Sequence, residues 1–117
     1  MIYGVGTDIV RIERMKSFCE SGGLDRCFTD GEKEHCTKSR SLYETAAGIF
    51  AAKEALSKAV GGTLFNVLKN SEVCWDDGKP FFKVKNGLGK GLSLHLSVSH
   101  DGEYAVAFVV AEEGKNV

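Results

Sequence analysis

The amino-acid sequence predicts a single α+β domain in which one long central helix packs on an antiparallel sheet. Three observations carry this. The patterned segments run strand, helices, then a series of strands. The alanine-rich stretch from Ser41 to Val60 opens on a capping-box pattern and closes on a glycine pair, as a long helix does. Asp76-Asp77-Gly78 is a strong hairpin signal between two apolar runs. The 117 residues match one ordinary domain, with no internal repeat and no linker, so the domain is expected to span residues 1–117.

Ile2 to Ile12 is rich in β-branched residues and reads as a strand. Gly4 and Gly6 lower its propensity and would let another part of the molecule approach the backbone closely. From about Glu13 to Glu20, Met15, Phe18 and Cys19 share one side, which predicts a short amphipathic helix ending at Gly22-Gly23. Thr29-Asp30-Gly31-Glu32 has the capping-box pattern and should open a second short helix through about Lys38. Ser41-Leu42-Tyr43-Glu44 has the same pattern and opens the long helix, with Gly61-Gly62 as its stop. Its buried stripe is read as Leu42, Ala46, Ile49, Phe50, Leu56 and Val60, and its many alanines favour close packing.

A turn is expected near Phe65-Asn66, then a strand from Val67 to Trp75. Pro80 to Lys85 returns as its hairpin partner, and the glycine-rich stretch from Asn86 to Gly91 reads as a loop or one poor helical turn. Leu92–Ser99 and Glu103–Ala111 are the last strands, joined by a tight turn at His100-Asp101-Gly102, and Gly114–Val117 is expected to fray.

A chain of this length buries roughly two-thirds of its unfolded surface and needs no metal or disulfide staple. The hydrophobic content of 43% and charged content of 26% are those of a soluble globular protein. A formal net charge of −1 provides no global field toward nucleic acid or an acidic membrane, so neither is expected as a partner. The apolar runs fall far short of the ~20 residues of a membrane span, and the N-terminus has no basic, signal-like start. Cys19, Cys27, Cys36 and Cys74 form no Cys-x-x-Cys pair and read as reduced thiols of a cytoplasmic protein. A zinc site built from them with His35 would match no standard spacing.

Two acidic residues and a lysine carry the chemical reading. Glu54 and Lys58 lie four apart on one helix face. Asp8 stands among Val5, Ile9 and Val10 in the first strand, where an acid is costly to bury unless it is paired or bound to a metal. Two hard carboxylates and a lysine suit a magnesium-assisted reaction on a polyphosphate: the carboxylates hold the metal and the lysine offsets charge on the phosphate oxygens. The residues alone also allow a strand-end aspartate facing water and an ordinary surface pair at Glu54 and Lys58.

Longer motifs decide between these readings. Gly4-Val5-Gly6-Thr7-Asp8-Ile9-Val10, followed by Ile12-Glu13-Arg14, resembles the opening motif of the holo-acyl-carrier-protein synthases. Phe50-Ala51-Ala52-Lys53-Glu54-Ala55 with Ser57-Lys58-Ala59 is similar to their central motif. Gly78-Lys79-Pro80, Leu96-Ser97-Val98-Ser99-His100 and Glu103-Tyr104-Ala105-Val106-Ala107 resemble further family motifs in the expected order. The likeness runs from about Ile2 to Glu112.

The resemblance implies the 4'-phosphopantetheinyl transferase fold and a small, trimeric enzyme with active sites in clefts between subunits. Such enzymes use coenzyme A and magnesium, attach the phosphopantetheine arm to a serine of apo acyl carrier protein and release adenosine 3',5'-bisphosphate. It implies Asp8 and Glu54 as magnesium ligands and Lys58 as a pyrophosphate contact. Lys79, Pro80, Ser99 and His100 would form the coenzyme pocket, with His100 on the 3'-phosphate. The nucleophile comes from the partner, so no triad is needed, and Glu54 or a metal-bound water would take its proton. Arg14 matches a family position tied to carrier docking, and Arg11 and Lys16 stand beside it. A basic patch there would steer an acidic carrier.

Two departures bear on the 3'-phosphate. The family usually has an arginine where this chain has Ile49, and a small hydroxyl residue where it has Asp101. Either Arg40 compensates, or Asp101 turns outward, or nucleotide affinity is reduced. A non-catalytic relative that binds carrier or coenzyme, and a magnesium phosphohydrolase on a similar scaffold, are the competing functions.

Overall fold

A computed structural model describes residues 1–114; residues 115–117 of the tail expected to fray lie outside the described residues. The elements are β1 (Ile2–Arg11), α1 (Ile12–Glu20), α2 (Gly23–Cys27), α3 (Asp30–Lys38), α4 (Leu42–Val60), α5 (Leu64–Asn70), β2 (Ser71–Asp76), β3 (Lys79–Val84), β4 (Leu92–Asp101) and β5 (Tyr104–Glu113).

β1, β5 and β4 form an antiparallel sheet in that order, and β2 and β3 form a separate hairpin. The first strand therefore pairs with the last, with Asp8 opposite Ala107. α4 lies across the three-stranded sheet. Its buried residues Ala47, Ala51, Ala55 and Ala59 face a sheet side lined by Ala105, Ala107, Val109 and Ala111. Small residues on both layers allow close approach, and Leu56 and Ile49 add roughly 1.5–3 kcal/mol each by burial.

What approaches Gly4 and Gly6 is helix α4: a Cβ at either position would collide with the Ala59 or Ala55 carbonyl oxygen. Strand alternation then turns Asp8 toward the same helix. Thr29 caps α3 in a full capping box with Glu32. At Ser41 only half of the expected box forms: its hydroxyl accepts from the Glu44 N–H at 3.4 Å. Gly61 closes α4 at φ 81°. Asp77 and Gly78 form the two-residue hairpin loop at φ 53° and 78°, the positive angles that such a turn requires.

Several expectations are corrected. The region read as a turn and the start of a strand is α5, capped by Thr63 Oγ1 accepting from the Asn66 N–H at 3.1 Å. The strand begins only at Ser71. His100 and Asp101 pair within β4, opposite Ala105 and Tyr104, so the tight turn is Gly102-Glu103. Leu42, Phe50 and Val60 are only partly buried. The four cysteines are free thiols. Among the described residues no helix is long and apolar enough to cross a membrane.

Candidate active site

β1 and α4 bring Asp8 and Glu54 to the wall of one cavity of about 330 Å³, together with Arg11, Arg14, Phe18 and Phe50. Lys58, one helical turn beyond Glu54, reaches back to β1. Its Nζ donates to the Thr7 carbonyl at 2.9 Å and stands 3.6 Å from Asp8 Oδ1. Burial pushes the Asp8 carboxyl above its ordinary range, while Lys58 pulls it back down. Burial also pushes Glu54 up, and the Asp8 charge adds to the shift.

The two carboxylates thus lie close enough to repel each other, and the attraction of Lys58 does not cancel the cost of their burial. Two half-buried, mutually repelling oxygen donors suit a hard divalent cation such as magnesium, which fills its remaining positions with water and phosphate oxygens. Among the described residues there is no cluster of three or more His, Cys, Asp and Glu side chains. A soft-metal site is not what this donor set resembles.

Arg11 and Arg14 line the same cavity. Arg11 lies 3.7 Å from Glu103 and 5.2 Å over the Tyr104 ring. Lys16 leans toward the Tyr43 ring at 6.0 Å instead.

Pro80 and His100 belong to a second cavity, of about 220 Å³, walled by α3, α4, β2, the hairpin loop and β4. His100 packs on α4 because Gly48 has no side chain; a Cβ there would press on its ring. His100 Nε2 lies 3.1 Å from the Glu44 carbonyl oxygen. That oxygen can only accept, so Nε2 carries the proton and Nδ1 is left for another partner. Ile49 lines this cavity.

Lys79 and Ser99 are not among its lining residues. Alternation along β4 puts Ser99 and Asp101 on the sheet face opposite His100. The aspartate expected to repel a phosphate therefore points away from the histidine. Arg40 does not line the cavity either.

Two lining residues were not singled out in the sequence. His35 and Trp75 stack with ring centroids 3.5 Å apart and planes 7° from parallel. Burial holds the His35 imidazole below its usual range. No short motif marks a pair that comes from α3 and β2, and nothing local in the sequence signals it.

The family model of the 4'-phosphopantetheinyl transferase superfamily matches residues 4–109. The chain belongs to this superfamily. As a member it is 38% identical to the holo-[acyl-carrier-protein] synthase of Halothermothrix orenii, over 97% of this chain and 100% of that protein. It is also 38% identical to that of Chlamydia trachomatis, over 95% and 100%. Among solved structures it resembles a Bacillus anthracis holo-(acyl-carrier-protein) synthase in complex with CoA (3',5'-ADP). The TM-score is 0.85 at 37% identity, covering 97% of this chain and 99% of that one. The Neisseria meningitidis synthase gives a TM-score of 0.86 at 37% identity, covering 97% and 100%. The transferase fold expected from the motifs is thus shown.

Proposed function

We propose that this chain transfers the 4'-phosphopantetheine arm of coenzyme A to a serine of apo acyl carrier protein and releases adenosine 3',5'-bisphosphate. The observation that carries the reading is the convergence of Asp8 and Glu54, distant in sequence, on one cavity beside Lys58. The transferase family and the named synthases at 38% identity support it.

In the reaction the serine oxygen bonds to the phosphorus that carries the pantetheine arm. The bridging P–O bond breaks, and the bisphosphate leaves with the electron pair. Asp8 and Glu54 would hold magnesium, which when bound neutralises phosphate oxygens and raises the electrophilicity of phosphorus. Lys58 offsets charge on the bridging oxygen as it departs. Glu54, or a water on the bound metal, would take the serine proton. Pro80 and His100 would hold the nucleotide end, with His100, protonated on both ring nitrogens, donating from Nδ1 to the 3'-phosphate. Arg11 and Arg14, on the rim of the carboxylate cavity, would receive the acidic carrier.

A homotrimer completes this reading. On one chain the two cavities are separate. The sheet face away from α4 exposes Val5, Ile9, Tyr104, Val106 and Phe108, Ile9 at 63%, an apolar surface of the kind that covers itself with a partner. The clefts between subunits that the family resemblance implies would then join the carboxylates of one copy to the Pro80–His100 cavity of the next. A cytoplasmic location fits a coenzyme A-dependent reaction and the free thiols. Mass spectrometry of apo carrier after incubation with the protein, coenzyme A and magnesium tests the activity. Addition of the arm is expected; an unmodified carrier at saturating coenzyme contradicts it. Light scattering tests the trimer.

A further inference from the structure

Lys53, which precedes Glu54, does not face the carboxylate cavity. Its side chain is 1% exposed and that of Glu32 is 0% exposed, and Lys53 Nζ lies 3.0 Å from Glu32 Oε2. Lys53 also donates to the Ser71 carbonyl at 2.8 Å. Glu32 Oε2 accepts from the Val73 N–H at 2.7 Å, and Oε1 accepts from the Thr29 N–H at 2.9 Å. One buried ion pair therefore ties together the start of α3, the middle of α4 and the start of β2.

These are three of the elements that wall the Pro80–His100 cavity. Each presents a lining residue close to its attachment point. His35 follows Glu32 by three residues on α3, and Ile49 precedes Lys53 by four on α4, both spacings of a shared helix face. Val73, whose N–H meets Glu32, lines the cavity itself, and Trp75 follows on the same side of β2. A core could fill this volume with apolar side chains at equal or better stability, so a buried ion pair is not needed for stability as such. What it supplies is a fixed distance and direction between three segments.

We propose that Lys53 and Glu32 are positioning residues that set the shape of the Pro80–His100 cavity, and through it the affinity for the nucleotide end of coenzyme A, without touching the coenzyme. The proposal rests on the functional reading above.

The test compares wild type with Glu32→Gln, with the double variant Glu32→Gln/Lys53→Met, which leaves neither charge alone, and with Glu32→Asp/Lys53→Arg, which keeps the pair at similar combined length. Adenosine 3',5'-bisphosphate binding is measured by calorimetry on protein shown to be folded by circular dichroism, and kcat and KM for coenzyme A are measured alongside. Bisphosphate binding and KM should each worsen roughly tenfold in the neutralised variants, as a small misplacement of binding groups does. At the same time kcat should stay within about twofold, the signature of lost ground-state binding. The charge-keeping pair should recover most of the affinity. If the double variant fails to fold, Glu32→Asp, which keeps both charges and shortens the link, decides by the same criteria. A variant that melts earlier yet binds the bisphosphate like wild type overturns the proposal and leaves the pair a structural one. Wild type that binds no bisphosphate would instead overturn the functional reading on which the proposal rests.

Discussion

Lys53 and Glu54 are consecutive residues of α4 that enter two charged clusters of opposite character. Around Lys53 every charge has its partners: the ammonium meets Glu32 and Ser71, and the carboxylate also accepts from Thr29 and Val73. Around Glu54 the carboxylates are strained: burial raises both Asp8 and Glu54 above their ordinary range, the Asp8 charge adds to the Glu54 shift, and the half-exposed Lys58 does not undo it. The first cluster is complete without a ligand and holds segments in place. The second holds two carboxylates whose charged forms burial disfavours, a cost that binding of a divalent cation relieves. The fully hydrogen-bonded pair belongs to the scaffold; the strained carboxylates belong to the proposed site.

The contrast can be broken at its sharpest point first. Removing either carboxylate, by Asp8→Ala or Glu54→Ala, should lower transfer on the order of 10³-fold, the scale of losing preorganised charge stabilisation. Carrier mass reads the loss of transfer, and circular dichroism should show both variants folded. Lys53→Met should do the reverse. It leaves Glu32 as an uncompensated buried charge, which should cost about 3–5 kcal/mol in urea unfolding, whereas the site variants should not lose stability at all.

The sheet face offers a third test. Phe108→Arg places a charge in the middle of the exposed apolar surface. Light scattering should then show a smaller species, with transfer falling in parallel if the two half-sites must meet.

The smallest effect concerns pH. A carboxyl whose folded pKa is raised contributes stability below its unfolded pKa and loses that contribution as pH rises through the folded value. Without divalent cation, Glu54→Gln should therefore melt above wild type at neutral pH, and the gap should close as pH falls through the raised Glu54 pKa. Magnesium should favour wild type alone, by about 2.7 kcal/mol at a hundredfold excess over Kd. Equal stabilisation of both proteins would contradict the assignment.

The legible part of the fold was the part with local signals. The capping box at Thr29, the αL stop at Gly61 and the Asp77-Gly78 turn are each decided within four residues, and each forms as read. The failures needed non-local information. Val67 and Leu68 look β-like, yet the Thr63 cap and packing against α4 make Leu64–Asn70 helical. α2, five residues long, has too few positions to show a period. At the site, the helical spacing and the motifs pointed to Asp8, Glu54 and Lys58, and the fold brings these together. The burial of Lys53 was invisible because its partner lies on α3. Ser99 stands on the face of β4 opposite His100, and a motif read as letters does not say which face each residue takes.

The central claim is that Asp8 and Glu54 share one divalent cation. Calorimetric titration of magnesium into the protein in the presence of coenzyme A, repeated with Asp8→Asn and with Glu54→Gln, tests it most directly. One magnesium site in wild type that is lost or severely weakened in both variants is the predicted result. Wild-type magnesium binding in either variant would show that the two carboxylates do not act on the same ion.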